Sequence, residues 1–346
     1  MKAIRTALFS AITGGLLAAQ VASAQSLTVV AFGGASQEAQ RTVFFKPFST
    51  TSGNQIVEDS YNGGLAKVKA MVDSNSVTWD VLQVEDPDLL RGCESGLFEK
   101  MDWDKLGDKG QYLESAISEC GMGHIIWSNV IAYNRDTLKT GPKNWQDFWD
   151  VNKYPGKRGL RKGAKGNLEF ALLADGVKPD EVYSLLETEE GVNRAFAKLD
   201  ELKPYIQWWE AGAQPPEWLA SGDVVMTTAY NGRITNANKE GKNFQVVWDG
   251  QLYSVDSWAV IKGSKNKDKA FDFIAYASSA KVASQYPAHI PYGVAHKEAT
   301  QAIPEKIAKD LPTYPDNLKN ALREDTAFWV DYQDELNERF NAWVAR

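Results

Sequence analysis

The residues in this 346-residue sequence best suited to chemistry are a cation and an anion at the ends of two apolar runs. "VVMTTAYNGRI" leaves a strand-like segment through Tyr230 and reaches Arg233, and "YSVDSWAV" carries Asp256 twenty-three residues later. A guanidinium presents a planar fork that fits a carboxylate bidentately, and a carboxylate fits an ammonium group. Arg233 and Asp256 therefore read either as a surface pair or as the two ends of a site that grips a ligand of both charges.

Other polar and aromatic residues fall at the ends of expected strands. Phe32 precedes Gly33-Gly34, Glu85 follows "WDVLQV", Trp127 precedes Ser128, and Tyr292 lies in "HIPYG". Ser36 at the start of the first helix and Trp208 in "YIQWWE" complete the candidate set. Singly, each has a structural explanation: Trp127 as core, Glu85 as a helix N-cap, Ser36 as another. Together, aromatic walls with a few fixed charges suit a small polar ligand that carries an alkyl stretch.

Catalytic signatures are scarce. The three histidines, His124, His289 and His296, belong to no zinc-binding pattern. The sequence holds no G-x-S-x-G elbow and no phosphate-binding loop. Neither a cofactor nor a metal is implied, and the chain reads as a binding protein rather than an enzyme. "YPGKRGLRKGAKGN" gathers Lys157, Arg158, Arg161, Lys162 and Lys165. In an otherwise acidic chain this stretch reads as a solvated strand-and-loop face rather than a phosphate cradle.

The elements that must position these residues follow an export signal. Lys2 and Arg5, an apolar stretch and Ala22-Ser23-Ala24 predict cleavage after Ala24. Losing Lys2 and Arg5 takes the formal charge from -7 to -9, which argues against nucleic acid as a partner. The only two cysteines, Cys93 and Cys120, are expected to pair outside the cytoplasm.

"SLTVVAF", "NQIVEDSY" and "WDVLQVE" alternate with helical patterns, which means parallel strands with crossover helices. From residue 142 the pattern restarts, with "RGLRKG", "YIQWWE" and "VVMTTAY" as strands. The last forty residues read as paired amphipathic helices. Two α/β units without a linker predict lobes joined by crossing strands. Ligands of such sheets bind at the carboxyl ends of strands, so a cleft is expected between the lobes.

With these segments in view, the chain resembles the periplasmic solute-binding proteins of ABC transporters. The resemblance is to the polyamine-binding group, which takes in spermidine, putrescine and 4-aminobutyrate-type receptors. It rests on "FGGASQEAQRTVFFKPFSTTSG", "WDVLQVEDPDLLRGCESGLFE", "WSNVIAYN", "LASGDVVMTTAYNGRI", "YSVDSWAVIKGSKN" and "IPYGVAHKEA". It implies a two-lobed type II periplasmic-binding-protein fold of mostly parallel sheets flanked by helices. Residues 25–133 with 257–305 would form one lobe, and 134–256 with 306–346 the other. The family's cleft aspartate matches Asp256, and its cleft aromatics match Tyr230 and Tyr292. Lys165 and Leu168 stand where polyamine receptors tend to place carboxylates, leaving Glu85 as the other available acid.

Arg233 would repel a diamine, so the preferred ligand is an ω-amino acid such as 4-aminobutyrate or 5-aminovalerate. Putrescine or spermidine is the alternative, as is a role presenting ligand to a chemoreceptor. The expected protein is a periplasmic monomer that delivers its ligand to an inner-membrane permease.

Overall fold

The computed structural model describes residues 26–346, so the expected signal peptide and its cleavage site lie outside the described residues. Ten strands form in chain order: β1 Ser26–Ala31, β2 Gln55–Ser60, β3 Val81–Glu85, β4 Gly121–Asn134, β5 Arg158–Arg161, β6 Ile206–Trp209, β7 Met226–Tyr230, β8 Phe244–Val260, β9 Gly293–Val294 and β10 Leu322–Arg323. The main path runs β2-β1-β3-β8-β4-β7-β5-β6, with β10 on β8 and β9 on β4. Parallel pairs flank an antiparallel centre made by β8 against β3 and β4 and by β4 against β7.

The long strands β4 and β8 explain the two lobes. They pair from Gly121↔Ala259 to Asn134↔Phe244, with register shifts at Gly123/Ile125 and Asn129/Ile131. At one end β8 continues into β3; at the other β4 continues into β7. The apolar side chains accordingly form separate cores. One gathers Leu27, Phe44, Trp127, Trp258 and Phe271; the other gathers Ile131, Trp145, Leu160, Leu252, Trp329 and Phe340. The expected "SWAVIKG" strand is only the end of β8, which begins at Phe244.

Two local expectations are corrected. The first helix starts at Gly34 with Gly33 as its cap, so Ser36 lies inside it, buried, with its hydroxyl 3.0 Å from that of Tyr286. This helix runs on through a π-helical turn, Arg41–Phe45, into Lys46–Ser52. Pro47 has no N–H to donate to the preceding turn, and the π-helical turn ends just before it.

The C-terminal stretch holds one long helix, Thr326–Val344, rather than a pair. The residues before it make turns and β10, and Asp325 caps the helix through Phe328 N at 3.0 Å.

Cys93 and Cys120 are bonded as expected, with Cα atoms 5.7 Å apart and a sequence separation of 27. The bridge ties the end of the helix Asp86–Glu94 to the start of β4. A loop of that length contributes about 3–4 kcal/mol in the chain-entropy account. Unreduced protein unfolded in denaturant should therefore show no titratable thiol, and the Cys93→Ser/Cys120→Ser variant should melt earlier. Two free thiols in the unreduced protein would contradict the bridge.

The second core also encloses a carboxyl group. Glu169 accepts from Gly166 N at 2.8 Å, Trp329 Nε1 at 2.8 Å and Tyr183 Oη at 3.0 Å. Burial nevertheless pushes it up to about 7, and Asp86, raised chiefly by burial, also reaches about 7. Between the ordinary carboxyl value and 7 the folded state holds protons that the unfolded state has released. Through these two carboxyls stability falls as pH rises across that window, against the opposite contribution of the buried His124, which burial holds down at about 3. The melting temperature should be higher at pH 5 than at pH 7.5, and Glu169→Gln should shrink the difference. A melting temperature that rises between those pH values would refute this.

Candidate functional site

Alternation along β3 turns Leu82 and Val84 into the core and turns Gln83 and Glu85 to the opposite face. The cross-strand register places Glu85 opposite Asp256, and Ile125 opposite Asp256 from the other side. The carboxyl ends of β3 and β7 and the middle of β4 and β8 thus converge on one cavity. It is lined by Phe32, Ser36, Glu85, Trp127, Tyr230, Arg233, Asp256 and Tyr292, eight of the nine residues expected to bind ligand. Its volume is about 50 Å³.

Asp256 is the deepest charge. It is 3% exposed, accepts from Trp127 Nε1 at 2.6 Å on one oxygen, and accepts from Gln83 Nε2 on the other. Gln83 is itself fixed by Gln40 Nε2 at 2.7 Å. Both donors to Asp256 are uncharged. Burial, reinforced by the neighbouring Glu85, pushes the Asp256 carboxyl well above the usual range. An ammonium group placed here would reverse that shift.

Glu85 is in the opposite situation. Lys165 Nζ lies 2.5 Å from Oε2 and Arg161 Nη1 lies 3.4 Å from Oε1. Burial alone would raise this carboxyl, but the two cations outweigh it and hold it at about 2. Lys165 also reaches Glu324 at 3.6 Å. Glu85 does occupy the N-cap position of its helix, yet its side chain makes no cap hydrogen bond.

Arg233 stands in the first turn of the helix Asn231–Lys239, which begins directly after β7. It is 8% exposed, so it is not half of a surface pair. Its Nη2 donates to Gly33 O at 3.2 Å and Phe32 O at 3.5 Å, while the buried Nε has no hydrogen-bond partner. A side chain on Gly34 would collide with Nη1, and one on Gly212 would crowd Nε. Gly34 also has φ +57°, in the region that favours glycine. The guanidinium fits because both neighbours lack a Cβ.

Aromatic rings complete the walls. Trp127 meets Tyr230 edge-on with centroids 5.2 Å apart, and Phe32 stacks on Tyr61 at 5.0 Å. Burial raises the Tyr230 phenol to about 12, so it stays protonated.

Trp208 is the expected residue that the cavity does not include. Its ring packs on Phe340 and Trp343 at 5.2 and 6.1 Å, inside the second core. The strand's alternation sends Trp209 the other way, edge-on beneath Tyr230 at 5.6 Å. Six lining residues escaped the sequence reading: Asn62, Gln83, Ile125, Arg161, Glu210 and Gly212. Gln83 was legible as the residue two before Glu85 on one strand.

The basic stretch is not the solvated face expected of it. Arg161 lines the cavity, with its guanidinium 5.8 Å from the Tyr230 ring centre. Arg158 is buried against the carbonyls of Phe148, Gly156 and Asp150.

The arrangement can hold a ligand between opposite charges; it offers no nucleophile beside a base. A model of the bacterial extracellular solute-binding protein family matches residues 44–315. The chain is 55% identical over 329 residues to the gamma-aminobutyric acid-binding protein of Pseudomonas aeruginosa, covering 95% of this chain and 94% of that one. It is 24% identical over 316 residues to spermidine/putrescine-binding periplasmic protein 1 of Haemophilus influenzae, covering 84% and 83%. Among solved structures it is similar to the Atu4243-GABA receptor, with a TM-score of 0.83 and 34% identity over 93% of this chain and 98% of that one. These relatives are named for the solutes they bind. The chain belongs to the family of bacterial extracellular solute-binding proteins.

Proposed function

We propose that this protein captures a small ω-amino acid, of the 4-aminobutyrate or 5-aminovalerate type, and delivers it to the permease of an ABC importer. The observation that carries the reading is the contrast between two carboxylates in one cavity. Asp256 has no cationic partner, whereas Glu85 is already held by two. One ammonium group is therefore invited, and a second is not. Arg233 supplies the other end, because its buried Nε has a hydrogen left to donate. The relative at 55% identity and the solved receptor at 34% are both named for 4-aminobutyrate, which supports the same class.

Charge balance supports it too. Around the cavity Asp256, Glu85 and Glu324 face Arg161, Lys165 and Arg233, and Glu210, which also lines it, is paired with Lys162. A zwitterion leaves this balance intact, while a diamine would add two uncompensated charges among half-buried and buried side chains, where unpaired charge is expensive.

The reading includes capture by hinge closure. Contacts between the lobes support it: Glu85 with Lys165, Arg233 with Gly33 O, and Arg91 with Asp334 at 2.9 Å. The lobes expected from sequence, 25–133 with 257–305 and 134–256 with 306–346, remain part of the proposal. The separation of the cores favours crossings between Trp127 and Ile131 and between Leu252 and Trp258. Cleavage after Ala24, a periplasmic site of action and a monomeric state belong to the same reading.

If Arg233 holds a carboxylate and Asp256 an ammonium, truncating either leaves a ligand charge desolvated and unpaired. Removing one partner of such a pair costs about 2–5 kcal/mol. Calorimetry should show Arg233→Ala weakening 4-aminobutyrate and 5-aminovalerate by roughly thirtyfold or more. Putrescine, with no carboxylate, should lose nothing in Arg233→Ala. Asp256→Ala should weaken amino acids and diamines alike. Unchanged amino acid binding in Arg233→Ala would overturn the assignment.

A further inference from the structure

Lys165 touches the cavity only through Glu85. It lines an outer recess with Gly63, Gly64, Asp88 and Gln333, which adjoins the cavity through the shared residues Asn62, Glu85 and Arg161. Its side chain is half-buried, and its ammonium lies against Glu85 Oε2 and within 3.6 Å of Glu324. Glu85 in turn is the cross-strand neighbour of Asp256, so the two carboxylates share one face of the sheet at adjacent positions. Without compensation this pair would form a strongly anionic floor, attractive to a ligand with two ammonium groups. Arg161 compensates Glu85 from the second lobe at 3.4 Å, the longer of the two contacts. Lys165 completes the neutralisation.

We propose that Lys165 is a specificity-determining residue that keeps diammonium ligands out of the site. It does so from behind, by occupying Glu85, and makes no ligand contact of its own. The inference rests on the ω-amino acid reading of the cavity. Removing Lys165 while keeping its volume leaves Glu85 Oε2 without its nearest partner and tips the buried charge around the cavity negative by one. A diamine then meets an added anion, while a zwitterion meets an imbalance. The two ligand classes must therefore respond in opposite directions. A residue that merely latched the lobes together would shift both equally.

The test is titration calorimetry of the full chain, wild type against Lys165→Met, with 4-aminobutyrate and putrescine as the two probes. Putrescine is measured by competition where its direct heat is small, and circular dichroism verifies folding. The ratio of the putrescine to the 4-aminobutyrate dissociation constant should fall at least tenfold in Lys165→Met. Adding Glu85→Gln to that variant should abolish the fall. Lys165→Gln serves as the second replacement if the methionine variant does not fold. A ratio unchanged in the variant, including equal weakening of both ligands, overturns the role of Lys165 and leaves the amino acid reading standing. A wild type that prefers putrescine overturns the reading itself, and the inference with it.

Discussion

A carboxylate buried without a cation is the constraint on which the rest of this structure turns. Taking an ionised group out of water is expensive unless it is paired. Apart from Glu169, which also has only neutral donors, several buried charges of this protein are paired or hydrogen-bonded accordingly. Glu85 has Lys165 and Arg161, Glu99 has Lys262 and Lys267, and the buried guanidinium of Arg158 is surrounded by carbonyl oxygens. Asp256 alone in the cavity is served by neutral donors, and one of these, Gln83, is oriented by Gln40. Such preorganisation fixes the carboxylate's position without satisfying its charge. That is the state expected of a binding group waiting for an ammonium.

The lobed fold makes this unsatisfied state tolerable and useful. Asp256 lies on β8, a strand shared by both halves, while Glu85 and Phe32 belong to one side and Arg161, Lys165 and Arg233 to the other. Bringing the sides together seals the cavity and assembles its cations in the same motion. Contacts that exist only in the closed arrangement shift the population toward it. The ion pair between Glu85 and Lys165 and the Arg233 hydrogen bonds to Gly33 O and Phe32 O contribute to closure whatever the ligand, whereas the charge of Asp256 contributes only when an ammonium group is present.

Much of this was legible in sequence, because strand ends carry local signals. Apolar runs broken by Gly33-Gly34, Glu85 and Tyr230 mark where strands stop, and strand ends are where such sheets bind ligands. The disulfide followed from having only two cysteines. What escaped depends on tertiary register. Trp208 and Trp209 are adjacent and chemically alike, and only the pairing of β5 with β6 decides which ring faces the core.

Lys165 sits in a run of basic residues that looks solvated until Glu85 and Glu324 are brought to it from segments 80 and more residues away in sequence. The stretch before the final helix has a helical apolar pattern. It is drawn instead into β10 by the open edge of β8.

The central claim is that Asp256 and Arg233 are the two poles of one zwitterion site. A crystal structure with 4-aminobutyrate bound tests it most directly. The account predicts the ligand nitrogen within hydrogen-bonding distance of Asp256 and the ligand carboxylate on Arg233, with Nε among its donors and the Glu85–Lys165 contact intact. A ligand lying in the reverse direction, or one whose ammonium rests on Glu85 with Lys165 displaced, would contradict it.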